Sequence, residues 1–259
     1  MSDSQAQAAS RAAAAIVESL PPRVAFAGGL WRTASPPLLP GEAEGVAGAL
    51  EARRVEFAIG RAFARQALAA LGVAPCPIPR ARSRAPVWPE GLVGSISHCD
   101  GFCGAIAARG DLYAGVGLDV DSAAPLARAS RPLVCADGEL DDAQSRNGLA
   151  RDSAAKLIFS IKESVYKAYA QATGDFLDFL DVAVELDSPS TFLARIIAPH
   201  RRSPPGGPDL AGVFGLVPGF VFSAIGISSS SRDQEHEPKS TSMDKASRGD
   251  RPHQDAYPA

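Results

Sequence analysis

The segment Gly115-Val-Gly-Leu-Asp-Val-Asp121 constrains this chain most, because its alternation reads as a β-strand with two very different faces. Successive side chains of a strand point to opposite sides. Val116, Leu118 and Val120 therefore share one face, and Gly117, Asp119 and Asp121 share the other. The apolar face needs a core. The acidic face holds two carboxylates side by side on a rigid element, a repulsive arrangement that a cation between them relieves. Hard oxygen donors with room for water and phosphate suit Mg²⁺, with Mn²⁺ as an alternative. Taken alone, the segment equally fits an exposed acidic strand face.

The rest of the chain surrounds this strand with intermixed elements. Val93 to Ser97 and Cys103 to Ala108 read as short strands, and Leu112 to Asp121 as a longer one after a turn at 109–111. Val182 to Leu186, Phe192 to Ile197, Val213 to Leu216 and Phe220 to Ile227 read as further strands. A helix is expected over Glu42 to Leu71, with Val46, Leu50, Phe57, Ala64, Leu68 and Leu71 as its apolar stripe and Gly72 as its stop. A second is expected to start at Asp152 or Ser153 and run to about Thr173, burying Leu157, Ile158, Ile161, Val165, Ala168 and Tyr169 and stopping at Gly174. Strands and helices do not alternate regularly, so the expected class is α+β.

Charge and composition narrow the functions. The 259 residues carry 26 basic and 29 acidic side chains, a net charge of −3, which argues against a surface coated for nucleic acid. Any anion site must be built locally. No stretch approaches the roughly 20 apolar residues of a membrane span. The first twenty residues lack the basic start of a signal peptide, and the four cysteines read as reduced thiols, so the cytoplasm is the expected compartment. Ser228 to Ala259 contains no Leu, Ile, Val, Phe or Trp and is expected to be a disordered tail.

Three further groups bear chemistry. Arg54, Arg61 and Arg65 form a basic row on the first helix, with Arg53 inside the apolar stripe; this is either a solvated face with a snorkelling arginine or an anion clamp. On the second helix Glu163 and Lys167 are four apart and share a face, with Lys162 beside them. They are either an exposed ion pair or, set against the aspartate strand, a third carboxylate with lysines for an Mg²⁺-bound pyrophosphate. Ser97 and His98 end a strand, where they are either phosphate donors or structural residues.

These blocks occur in one order: Arg53 to Phe57, Gly60 to Leu68, Pro77 to Arg80, Trp88 to Cys99, Gly117 to Asp121 and Phe159 to Ala168. The ordered set, covering residues 42–227, resembles the 4'-phosphopantetheinyl transferases of the Sfp/EntD type, in particular the EntD-like branch. The resemblance implies a monomer of two similar α+β halves related by pseudo-two-fold symmetry, here 15–114 and 115–227, with the tail 228–259 outside the pattern. Coenzyme A would bind as substrate in the cleft between the halves, and its 4'-phosphopantetheine arm would pass to a serine of an apo acyl or peptidyl carrier protein, releasing adenosine 3',5'-bisphosphate. Asp119, Asp121 and Glu163 would hold Mg²⁺. Glu163 would be the base, directly or through a metal-bound water, and Lys167 would steady the pyrophosphate with support from Lys162. Arg53, Arg61, Arg80, Ser97 and His98 match positions that clamp the 3'-phosphate of coenzyme A. Asp121 stands where the family often has Glu, and Arg80 where a relative carries Lys. The EntD-like blocks point to nonribosomal peptide or polyketide synthases as the pathways served, such as siderophore assembly, with no nucleic-acid or membrane partner. The alternative is a coenzyme A or nucleotide-binding relative without catalysis.

Overall fold

The computed structural model describes residues 3–30, 36–99 and 101–229. After helix α1 (Asp3–Ser19), strands β1 (Ala25–Gly29), β2 (Leu92–Cys99) and β3 (Phe102–Arg109) form an antiparallel sheet in the order β1-β3-β2, and α2 (Glu51–Ala70) packs across it. Strands β4 (Tyr113–Ser122), β5 (Val182–Leu186), β6 (Thr191–Ile196), β7 (Asp209–Val217) and β8 (Phe220–Ser228) form a second antiparallel sheet, ordered β4-β8-β7-β6-β5. Two short helices, α3 (Arg131–Val134) and α4 (Glu139–Asn147), lead into the long α5 (Arg151–Thr173), which lies on β4 and β8. The fold is α+β, and each half sets one long helix on an antiparallel sheet, of three strands in one and five in the other.

Strand β4 is buried on both faces. Val116, Leu118 and Val120 join Ile16, Phe102, Phe220 and Phe222 in a core between the sheets and α1. On the other face α5 rests directly on the strand backbone. A Cβ at Gly117 would lie 1.8 Å from the Ser164 carbonyl oxygen, and one at Gly115 2.1 Å from that of Ala168, so only glycine permits this approach. All six residues expected on the apolar face of α5 are buried, in a core shared with β5 to β8.

The seam between the sheets is closed by side chains. Ser95 Oγ lies 3.3 Å from the Leu118 carbonyl, and Ser97 Oγ accepts from Val120 N at 3.0 Å. Gln171 of α5 donates to the Val116 carbonyl (2.8 Å) and accepts from Gly94 N (3.0 Å).

Each half also contains a buried glutamate. The Glu42 carboxylate accepts from Leu39 N, Ile78 N and the Arg65 guanidinium of α2, each at 2.8 Å. Glu139 accepts from Ala136 N, Val184 N and Lys162 of α5, at 2.7, 2.8 and 2.9 Å.

The expected first helix is interrupted. Glu42 precedes a 3₁₀ turn, Ala43–Val46, and Gly48 in the left-handed region (φ 78°) separates that turn from α2, which leaves Leu50 83% exposed and outside the stripe. Gly72 (φ 79°) follows the helix as expected. Neither Asp152 nor Ser153 caps α5: the cap position is Ala150, without a side-chain bond, and Asp152 instead pairs with Arg131. Gly174 does terminate it. Ser228 belongs to β8, and Ser229 is bonded to Gly110 and Leu112, so the expected tail overlaps structured residues at its start. The remainder of that tail, 230–259, lies outside the described residues.

Candidate active site

Helix α5 presents Lys156, Ser160, Glu163, Lys167 and Gln171 at spacings of four, three, four and four, which is one face of an α-helix. The helix runs antiparallel to β4, so Lys156 meets Asp121, Lys167 meets Asp119 and Gln171 meets Val116. Asp119, only 6% exposed, accepts from Lys167 Nζ (2.7 Å) on Oδ1, where Ser97 Oγ also lies at 3.1 Å. Lys167 further donates to the Leu118 carbonyl at 3.0 Å. Asp119 Oδ2 is buried and has no hydrogen-bond partner among the described residues. Asp121 accepts from Ser122 N on Oδ1 (2.6 Å) and is held by Lys156 on Oδ2.

Glu163 lies between the two lysines along the helix, half-buried and without a hydrogen bond among the described residues. Burial raises its carboxyl above the usual range; the charges of Asp119 and Asp121 push the same way, and Lys167 opposes them. Beside it opens a cavity of about 230 Å³ walled by Tyr166, Phe176, Leu177 and Phe179, with the Tyr166 and Phe176 rings packed edge to face at 5.4 Å.

Among the described residues no three His, Cys, Asp or Glu side chains converge as a ready metal cage, because each strand aspartate is turned to a lysine. The donor set nevertheless suits a hard divalent cation. Asp119 offers an unpartnered buried oxygen, and a cation near Glu163 would offset the repulsion from Asp119 and Asp121 that adds to the effect of burial on its carboxyl.

A second cluster lies across the seam. His98 follows Ser97 on β2 and points the other way, so that Arg53 Nη1 of α2 donates to its Nε2 at 2.6 Å while also pairing with Glu56 at 3.0 Å. Arg61, 5% exposed, donates through Nε to the Ile78 carbonyl (2.6 Å) and stacks on the Phe57 ring at 4.1 Å. Burial lowers its guanidinium to about 10; Glu42 opposes this, while Arg65, Arg80 and Arg53 add to it. Arg80 is anchored to the Gly45 carbonyl at 2.7 Å. Several cations thus sit close enough to repel one another, a concentration of positive charge that an anion stabilises.

The structure therefore sets Asp119, Asp121, Glu163, Lys167 and Ser97 along one stretch of the seam without converging the three carboxylates, and Arg53, Arg61, Arg80 and His98 in a second cluster, with Ser97 and His98 adjacent on β2. It does not bring the Lys162 ammonium to either. Lys162 is 1% exposed and its Nζ donates to Glu139 and to the Val134 carbonyl, a buried tie between α5 and the segment before it. Of the expected basic row, Arg65 is taken by Glu42. Lys156, Ser95, Gln171, Glu42 and Glu139 were not foreseen; Lys156 was detectable in principle, seven residues before Glu163 and eleven before Lys167 on the same helical face.

The second half thus sets two strand carboxylates, Asp119 buried and Asp121 partly exposed, against a Lys-Glu-Lys helix face, and the first half carries a cluster of arginines. Residues 41–108 match the 4'-phosphopantetheinyl transferase N-terminal domain and residues 115–205 match the 4'-phosphopantetheinyl transferase superfamily. The chain belongs to that superfamily and is an enzyme of it. It is 39% identical over 202 residues to 4'-phosphopantetheinyl transferase Svp of Streptomyces mobaraensis, covering 73% of this chain and 78% of that protein. With 4'-phosphopantetheinyl transferase PptT of Mycobacterium tuberculosis it shares 34% identity over 193 residues, 72% of this chain and 85% of the relative. Enterobactin synthase component D of Salmonella typhi is 36% identical over 120 residues, 46% of this chain and 49% of that protein.

Proposed function

We propose that this enzyme transfers the 4'-phosphopantetheine arm of coenzyme A to a serine hydroxyl of an apo acyl or peptidyl carrier protein, in a divalent-metal-dependent reaction that releases adenosine 3',5'-bisphosphate. The observation that carries the reading is Asp119: locked on one oxygen by Lys167 and Ser97, it keeps the other buried and unpartnered beside Glu163.

In this reading Arg53, Arg61, Arg80 and His98 hold the 3'-phosphate. That fixes one end of coenzyme A and lays its pyrophosphate across the seam toward Lys167. The apolar cavity beside Glu163 suits the flexible pantetheine arm, whose burial there excludes water from the reacting phosphate. Asp119 and Glu163, with Asp121, are the residues that would hold Mg²⁺, which supplies charge neutralisation at the pyrophosphate when bound. Glu163 takes the proton of the incoming serine. The serine oxygen forms a new bond to the phosphorus that carries pantetheine. The bond from that phosphorus to the bisphosphate breaks, and Lys167 donates to the departing oxygen as its charge grows. Carrier domains of nonribosomal peptide or polyketide synthases are the proposed acceptors.

Intact-protein mass spectrometry tests this directly. An apo peptidyl carrier domain incubated with the enzyme, coenzyme A and Mg²⁺ should gain one phosphopantetheine, and neither EDTA-treated enzyme nor Glu163→Ala should produce that gain. An unchanged carrier mass in every arm, or full transfer by Glu163→Ala, refutes the assignment.

A further inference from the structure

Of the polar face that α5 lays on β4, the reaction above leaves Lys156 unused. Lys156 is 9% exposed, its ammonium ion-pairs with Asp121 Oδ2, and its Nζ lies 5.4 Å from the centre of the Phe159 ring. A lysine this deeply buried needs a compensating anion, and Asp121 provides it. Lys167 does the corresponding thing at Asp119, but with a difference. Lys167 spreads its donors over Asp119 Oδ1, the Leu118 carbonyl and the Ser97 hydroxyl, and leaves Asp119 Oδ2 unpartnered. Both Asp121 oxygens are already partnered, Oδ1 by Ser122 N and Oδ2 by Lys156.

We propose that Lys156 is a built-in counter-cation that competes with the divalent metal for Asp121, holding down the metal affinity of the substrate-free enzyme. This rests on the metal site proposed above. In the free protein Asp119 Oδ2 and Glu163 are the donors without a hydrogen-bond partner among the described residues. Asp121 joins them only by weakening its pair with Lys156, because an ammonium and a divalent cation held at one carboxylate repel each other. The device lessens the repulsion among the three carboxylates while no metal is bound. It also makes the metal's own binding weaker than three acidic side chains would give. Lys156 is thus a positioning residue: it touches Asp121 and acts on the reaction through it.

The test is titration of the protein with Mn²⁺ alone, without coenzyme A, following free Mn²⁺ by electron paramagnetic resonance. Lys156→Met should bind Mn²⁺ at least tenfold more tightly than wild type, and adding Asp121→Asn to that variant should abolish the gain. Lys156→Gln, which retains a polar end should the methionine variant fail to fold, should tighten binding in the same direction. Unchanged or weaker Mn²⁺ binding in a variant whose circular dichroism matches wild type overturns the role of Lys156 and leaves the transferase reading standing. No Mn²⁺ binding by wild type or variants, together with transfer that survives EDTA, removes the metal site and this proposal with it.

Discussion

The two halves of the molecule share a plan and differ in what it leaves over. In each, a long helix lies on an antiparallel sheet and a basic residue of that helix reaches a buried glutamate that also accepts two backbone N–H groups: Arg65 to Glu42 in one, Lys162 to Glu139 in the other. Beyond these pins the halves diverge. The first leaves Arg53, Arg61 and Arg80 held by backbone carbonyls, His98 and a single glutamate, so positive charge is concentrated and incompletely neutralised. The second matches each strand aspartate with a lysine and leaves only Glu163 of its three carboxylates without an ion pair among the described residues. One half holds excess positive charge that an anion would stabilise; the other would have to exchange ion-pair partners to take the cation proposed for it. A basic side chain's role thus depends on where its partner lies: Lys162 is paired with Glu139 deep in the core, and Lys167, five residues further along α5, is paired with Asp119 at the seam.

The sharpest test of this contrast is at Asp119. Asp119→Asn keeps the shape and removes the charge, and transfer followed by carrier mass should fall by about 10³-fold with little change in circular dichroism. Next is Lys162→Met, which strands Glu139 without its cation; breaking a buried pair costs about 3–5 kcal/mol, so calorimetry should show a fall in Tm of about 10 °C or more. The KM for coenzyme A, measured where the variant is folded, should stay within about twofold of wild type. A large rise in KM with normal stability would instead return Lys162 to the binding site. Arg53→Ala removes one charged contact proposed for the 3'-phosphate and should raise the KM for coenzyme A by about tenfold with kcat little changed. The same variant should treat dephospho-coenzyme A as wild type does; an equal loss on both substrates would place Arg53 elsewhere on the ligand.

The smallest effect is at Glu163, whose carboxyl is raised chiefly by burial. A raised carboxyl favours the folded state when protonated, and that contribution is lost as pH climbs through the raised value. Glu163→Gln should therefore be more stable than wild type at pH 7, by about 1–3 °C in Tm. The gain should vanish below about pH 4, where both chains are neutral at this position. A variant less stable than wild type at pH 7 would mean that the carboxylate is better paired than its surroundings indicate.

The α+β class, seven of the eight strands and the apolar face of α5 were legible because each rests on local periodicity. Strand β1 and helix α1 were not. The alanine-rich α1 and the five-residue Ala25–Gly29 carry little pattern of their own and take their places from the surfaces they cover. Gly115 and Gly117 could be put on a face but not explained, since their need for a missing side chain comes from a helix some fifty residues away in sequence. In the site, spacing alone left the Asp119/Asp121 and Glu163/Lys167 pairs open to a solvated reading, and the ordered motifs of the family resemblance joined them as one group. They could not assign partners: that Lys162 is occupied by Glu139, Asp121 by Lys156 and Arg65 by Glu42 follows from long-range packing alone.

The serine and glutamine side chains along the seam have an effect beyond joining the halves. Strands β2 and β4 are edges of their sheets, and an open edge is a template on which another chain can add a strand. Here the carbonyls of Val116, Leu118 and Val120 and the amides of Gly94 and Val120 have side-chain partners from Gln171, Ser95, Ser97 and Lys167. Two aggregation-prone borders are thereby turned toward each other and spent inside one molecule, so the residues that carry the reaction's groups also help keep copies of this chain apart.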